Sequence, residues 1–145
     1  MDTAIIEQLL YEAPEKKILN WIKNNSDPKL LYVLAYNYNW DGGFEIPCQI
    51  MNSPYCTLST ALLLFYRAEG DTYLQNKQET SSDKEWYSYI SSLYVKIINN
   101  TYKATNIQFK CPLSKVQIYK LSKVLAPNEN IFIKELPGEN LDISF

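Results

Sequence analysis

The chain has no histidine among its 145 residues. That removes the side chain most used as a general base near neutral pH, the commonest metal ligand and the usual pH switch. Histidine-based hydrolytic triads and His-ligated zinc sites are therefore excluded. Cysteine is scarce too: Cys48, Cys56 and Cys111 are an odd number with no CxxC pair. They read as three reduced thiols, with Cys48–Cys56 the one conceivable disulfide. No run of about 18 apolar residues exists, so no transmembrane helix is expected. The opening residues, MDTAIIEQLLYEAPEKK, carry neither a basic start nor a small-residue cleavage site. They read as an amphipathic helix rather than a signal peptide, and a cytoplasmic location is the expectation.

Negative charge is missing locally. Residues 86–125 contain no acid and six lysines (Lys96, Lys103, Lys110, Lys115, Lys120 and Lys123), whereas residues 1–85 carry net −5 and residues 126–145 net −3. Such asymmetry points to a partner or to docking of a basic helix pair beside an acidic half. Arginine is almost absent: Arg67 stands alone among thirteen lysines, a weak pattern for nucleic acid, which is read best through Arg. What is present is apolar and aromatic. The apolar share is 46%, with twelve Tyr, five Phe and three Trp, enough to exclude disorder and to build one domain over residues 1–145.

The periodicity is helical. Ile5, Ile6, Leu9 and Leu10 form one stripe, and Pro14 opens a second helix through Ile18, Leu19 and Ile22 that stops at Asn24-Asn25. Asp27-Pro28 is an N-cap with proline at N1, leading into Leu30, Leu31, Leu34, Ala35 and Tyr38. Asp41-Gly42-Gly43 is a turn, and Pro47 starts a short helix over 48–52. Thr57 caps LSTALLLFYRA (58–68), apolar on almost every side, the pattern of a buried central helix. Residues 71–82 have no period and read as a surface loop. A Ser82–Glu85 capping box then starts a helix bearing Trp86, Tyr89, Ile90, Leu93, Tyr94 and Ile97. Ile107, Phe109 and Cys111 alternate, as in a short strand or connector. Ser114 caps a last helix with Val116, Ile118, Leu121, Val124 and Leu125 inward, stopped by Pro127. The segment after it is ambiguous between a helical turn and a strand, and the tail beyond Pro137-Gly138 reads as loosely packed. The expected fold is all-α: about six short helices in successive hairpins, a compact bundle or short α-solenoid, with room for one short strand pair near the C-terminus. Within it, 30–70 is the core segment, 83–125 the basic helical segment and 126–145 the tail.

The core segment resembles a small bacterial family known as a domain of unknown function, DUF4274. The resemblance rests on Tyr38-Asn39-Trp40-Asp41, Gly43-Phe44-Glu45-Ile46-Pro47, Asn52-Ser53-Pro54 with Cys56, Thr60-Ala61-Leu62, and Phe65-Tyr66 to Glu69-Gly70. Family members carry an acid or polar residue where Thr57 stands and a second acid where this chain has Gly42, so one carboxylate is missing from the turn here. The resemblance implies a small helical bacterial domain with no established activity. Such domains are similar in size and setting to the immunity proteins that accompany secreted bacterial toxins.

Candidate chemistry is thin. Asp41 and Glu45 flank a glycine turn, as cation ligands or an acid-base pair do, but without the dense oxygen alternation of a calcium loop. The plainer reading makes Asp41 a turn support and Glu45 a helix cap. Cys56 has no paired base. Tyr32, Tyr36, Tyr38, Trp40, Phe44 and Tyr66 suit either an interface or the outer shell of a core. Arg67 suits a planar ion pair with Asp41, Glu45 or Glu69. The functional expectation is a non-enzymatic binding protein without cofactor or metal, an immunity protein that covers a cognate toxin. Its partner-binding residues would be Tyr38, Trp40, Asp41, Glu45, Tyr66, Arg67, Glu69 and Asp71. Against a nuclease, the carboxylates Asp41, Glu45, Glu69, Asp71, Asp83 and Glu85 would mimic phosphates. The alternative is a helical scaffold with an unrelated protein partner and an apolar groove. Nucleic-acid binding through 86–125 and enzymatic activity rank below both.

Overall fold

The computed structural model describes residues 1–80 and 82–145. Among these the chain forms eight α-helices: α1 (Ala4–Glu12), α2 (Glu15–Asn24), α3 (Pro28–Asn37), α4 (Glu45–Met51), α5 (Leu58–Arg67), α6 (Gly70–Gln75), α7 (Lys84–Ile98) and α8 (Lys115–Ser122). Short 3₁₀ segments occupy Trp40–Gly42 and Pro127–Phe132. The all-helical class is as expected, but the count of about six is too low. No helix among the described residues is long and apolar enough to cross a membrane.

α5 is the axis. Every side chain from Leu58 to Tyr66 is buried, and α5 lies between α3 and α7. A helix enclosed on all sides must bury its polar atoms with partners. Thr57 accepts from the Thr60 N–H at the N-terminus, and the Ser59 hydroxyl donates to Ile107 O at 2.6 Å. The Tyr66 hydroxyl donates to Phe132 O at 2.6 Å. α1 packs on α3 and α2 on α4. The Asp27 cap holds as read, its carboxylate accepting from the N–H groups of Lys29 and Leu30. Asn100 ends α7 in the left-handed region (φ 58), whereas Asn25 at the end of α2 is extended (φ −75).

Several expectations are corrected. Residues 71–82 are not wholly a loop, because α6 covers the first of them and buries Tyr73 and Leu74. Two inward side chains in a six-residue helix are too few to give a visible period. Ser81, within that expected loop, lies outside the described residues. Glu69 takes the left-handed conformation (φ 59) and turns α5 into α6. The cap of α7 is Asp83, whose carboxylate accepts from Trp86 N–H at 3.0 Å, one residue beyond the expected Ser82. α4 begins at Glu45, ahead of Pro47. Pro127 opens a 3₁₀ segment rather than stopping α8, which has already ended at Ser122.

The C-terminal strand pair is not formed. Ile107 bridges Glu139 in parallel and Phe109 bridges Leu136 antiparallel, each in isolation. Pro137 has no N–H to extend a ladder. Gly138 (φ +152) lies so close to Asn106 and Ile107 that a Cβ there would meet their backbone at 2.6 Å. The pairing sense reverses across this dipeptide, so neither bridge can propagate. The tail is docked rather than loose. Leu141 is buried, the Tyr32 hydroxyl donates to Asp142 at 2.7 Å, Asn37 Nδ2 donates to Ile143 O at 2.6 Å, and Lys29 pairs with Glu139 at 2.8 Å. The other ion pair among the described residues joins Lys77 to Glu129. Both link a lysine of the acidic half to a tail carboxylate, so the lysines of 86–125 do not neutralise the acidic half through ion pairs.

α8 also differs from its sequence pattern. Its capping box, Ser114 with Gln117, is intact. Only Leu121 is fully buried, while Val116 and Val124 are each 63% exposed. Val116→Ser and Val124→Ser are accordingly expected to change unfolding free energy by no more than about 0.5 kcal/mol, the usual range for exposed sites. Leu121→Ala should cost about 2–3 kcal/mol, as buried Leu truncations do. Urea denaturation of the three variants checks this contrast, and equal losses would show that the valines are packed.

Candidate functional site

The chain leaves α3 through a tightly determined corner. Asn39 Oδ1 accepts from Asp41 N–H at 3.0 Å, starting the 3₁₀ turn, and Gly43 (φ +89) completes it in a conformation reserved for glycine. The Tyr38 hydroxyl donates to Gly43 O at 2.7 Å. A Cβ at Gly42 would sit 2.8 Å from that hydroxyl, so Gly42 fits where the resembling family carries an acid. The turn is thus supported by Asn39 and Tyr38 and not by the Asp41 carboxylate, which is a correction to the sequence reading.

The corner delivers an aromatic cluster. Trp40 meets Tyr38, Phe44 and Tyr89 edge-on at centroid distances of 5.4, 6.2 and 6.1 Å, and Phe44 lies 4.9 Å from Tyr89. This cluster ties α4 to α7 across more than forty residues of chain. Two of its polar atoms are buried without a hydrogen-bond partner, Trp40 Nε1 and the Tyr89 hydroxyl. An orphaned buried polar atom costs about 1–3 kcal/mol, so two in one cluster call for an explanation.

Beside the cluster, α4 and α7 enclose a groove of about 600 Å³ lined by Phe44, Glu45, Cys48, Met51, Asn52, Glu85, Ser88, Tyr89, Ser92 and Lys96. The α7 residues Glu85, Ser88, Tyr89, Ser92 and Lys96 recur at helical spacing and form one stripe. The groove stays open because Ser88 and Ser92 are small. Glu45, in the first turn of α4, is exposed, as is Glu85 in the first turn of α7. Cys48 lies half-buried between the helices, and burial, Glu85 and Glu45, in that order, push its thiol above the ordinary value. Burial likewise drives the Tyr89 phenol well up. Tyr38 is pushed up to about 12 by burial, with Glu15 and Glu45 adding to it. At neutral pH the groove therefore holds a neutral thiol and a neutral phenol, neither of them an activated nucleophile. Among the described residues no three His, Cys, Asp or Glu side chains come together as metal ligands.

This charge arrangement has a measurable consequence. Iodoacetamide should alkylate Cys48 slowly at pH 8, and Glu45→Gln with Glu85→Gln should speed the reaction, because the neutralised rim no longer opposes the thiolate. A rate-against-pH profile checks it. An unchanged profile would show that the carboxylates do not act on the thiol.

The eight residues singled out by sequence do not form one site. Tyr38, Trp40, Asp41 and Glu45 belong to the corner and groove. Tyr66 is buried and committed to Phe132 O. Arg67 lies in a separate cleft with Tyr36, Lys110 and Asp142. Its guanidinium stacks 4.6 Å above the Tyr36 ring and donates to Tyr36 O at 3.0 Å, so its planar fork serves an aromatic and a carbonyl rather than Asp41, Glu45 or Glu69. Glu69 is the exposed α5–α6 hinge, and Asp71 lines a third cavity shared with α8. Of the aromatics, Tyr32, Tyr38 and Tyr66 are core. The residues that sequence reasoning did not place in the site are Phe44, Cys48, Tyr89 and Lys96. The Ser88–Ser92 gap in the polar face of α7 is the one sequence signal that marks their groove. All three cysteines are free thiols.

The fold is an all-helical domain with an open groove between α4 and α7. The family model for a domain of unknown function, DUF4274, matches residues 26–98, half of the chain, and the protein belongs to that family. No curated protein and no solved structure matches the chain. The match reaches beyond the resembling segment 30–70 to take in α6 and α7. It therefore contains both walls of the α4–α7 groove, while α1, α2, α8 and the tail lie outside.

Proposed function

We propose that the protein is a non-enzymatic protein-binding module, an immunity protein that neutralises a cognate toxin by covering its active surface. The observation that carries this reading is the α4–α7 groove: it lies wholly in the family segment and is lined by the half-buried Phe44 ring and the exposed carboxylates Glu45 and Glu85. Aromatic side chains supply contact area at low entropic cost, and a rim of carboxylates steers a basic partner such as a nuclease surface. Glu45 and Glu85 are the carboxylates of the phosphate-mimicry idea that line this groove. Glu69 and Asp71 belong to other faces.

The test is genetic and biochemical. The neighbouring gene should encode a protein that arrests growth when expressed alone, and co-expression of this chain should restore growth. The two should co-purify. Absence of a toxin-like neighbour together with no toxin-like partner captured from the native cell overturns the reading. A scaffold role has one observation in its favour, a groove of about 570 Å³ between α1 and α2 lined by Ile5, Leu9, Ala13 and Trp21 among others. Ile5→Lys, an exposed position on that groove, would weaken partner capture under that reading and spare it under the immunity reading.

A further inference from the structure

Lys115, Lys120 and Lys123, from the acid-free stretch 86–125, sit on α8 or at its C-cap. None of them lines the α4–α7 groove, and none makes an ion pair among the described residues. Asp71, across the cavity between α6 and α8, leaves Lys120 unpaired as well. At about 100° per residue these lysines interleave with Val116, Tyr119 and Val124 around one half of the helix, and Leu121, the buried anchor, lies on the other. The three apolar side chains are 63%, 62% and 63% exposed. The Lys123 ammonium lies 4.5 Å above the centre of the Tyr119 ring.

Charge and size narrow what can cover this face. A second copy would set lysine against lysine. α8 has eight residues, a length of roughly 12 Å, too short to supply the roughly 800 Å² per partner of a specific protein interface. Nucleic acid would use the lysines but not the valines, the face has no arginine, and Lys123 already covers one side of the Tyr119 ring. An anionic lipid surface uses all six side chains. Ammonium groups on flexible stems stay with the headgroup phosphates while Val and Tyr sink between the headgroups, and binding of this kind has no minimum area.

We infer that the outward face of α8 docks on an anionic phospholipid surface, with Lys115, Lys120 and Lys123 at headgroup level and Val116, Tyr119 and Val124 beneath them. The same surface repels the acidic residues 1–85, net −5, and so orients the chain. The site shares no residue with the α4–α7 groove and stands independently of the protein-binding reading.

Flotation of the full chain with vesicles tests it, using equal parts of phosphatidylglycerol and phosphatidylcholine, or phosphatidylcholine alone, at low ionic strength. The chain should float with the anionic vesicles only, and added salt should release it. Lys115→Gln/Lys120→Gln/Lys123→Gln should lower the partition coefficient about a hundredfold, roughly fivefold for each lysine. Val116→Ser/Val124→Ser, substitutions at exposed positions that leave the fold intact, should lower it a few-fold. No flotation, equal flotation with phosphatidylcholine alone, or an unmoved partition coefficient in either variant overturns the site. Tighter binding to a thymidine oligonucleotide than to the anionic vesicles, at the same salt and charge concentration, overturns the lipid assignment.

Discussion

Phe65→Ala should be the most damaging single truncation in the chain, costing about 3–5 kcal/mol, the range for emptying a fully buried aromatic site. Phe65 is 0% exposed and packs 4.6 Å from Phe132 and 5.7 Å from Tyr66. Its ring also explains why residue 70 is glycine. A Cβ on Gly70 would lie 2.2 Å from Phe65 Cδ2, and the ring is hemmed in by its neighbours. Gly70→Ala should therefore destabilise by about 1–3 kcal/mol, as overpacking does. In the Phe65→Ala background the same substitution should be neutral or stabilising, since the clash is gone and alanine reduces the freedom of the unfolded chain. A double-mutant cycle by urea denaturation measures this coupling. Additive effects would show that the α5–α6 junction is not closed by this contact.

Glu129→Ala should follow closely, costing roughly 2–3 kcal/mol through the buried groups it leaves unpaired. Glu129 is 4% exposed, accepts from the Tyr94 hydroxyl at 2.6 Å and from Ala126 N–H at 2.9 Å, and pairs with Lys77 at 3.0 Å. Lys77 is partly exposed and can turn to water, so most of the loss belongs to the Tyr94 and Ala126 bonds. Burial by itself would raise this carboxyl. Tyr94, Ala126 and Lys77 outweigh that and hold it below its ordinary value of 4.5. A carboxyl with a lowered folded-state value stabilises the fold above its unfolded value and loses that contribution as pH falls through the folded one. Wild-type stability should thus decline below about pH 4.5, the value for the unfolded side chain, and Glu129→Gln should show a shallower acid decline. A parallel decline in both would place the acid sensitivity elsewhere.

How much of this was legible in the sequence depended on how much apolar surface each element buries. α3 and α7 present long apolar stripes to α5, and the positions of all three follow from spacing, as do the Asp27 and Thr57 caps. α6 was missed because its inner face is two residues. α8 misled in the opposite direction: its period is helical, yet Val116 and Val124 find no wall to pack against. The tail looked polar and loose, but Leu141 and the hydroxyl of Tyr32 hold it to α3, a tie between residues more than a hundred apart. The same distance problem hid the groove. Glu45 and Trp40 were visible as candidates, but their opposite wall, Glu85 to Lys96, arrives only through the Phe44–Tyr89 contact. Arg67 was legible as a special position and misread as to partner, because the carbonyl and ring of Tyr36 are not distinguishable from carboxylates by spacing.

The central claim is that the α4–α7 groove is the face that binds a protein. Calorimetric titration of the neighbouring gene product into wild-type protein and into Glu45→Lys/Glu85→Lys tests it most directly, with circular dichroism confirming that the variant folds. The expected result is tight binding to the wild type and a loss of about a hundredfold or more in the variant, since two attractive contacts become repulsive. Equal affinity for both proteins would contradict the claim.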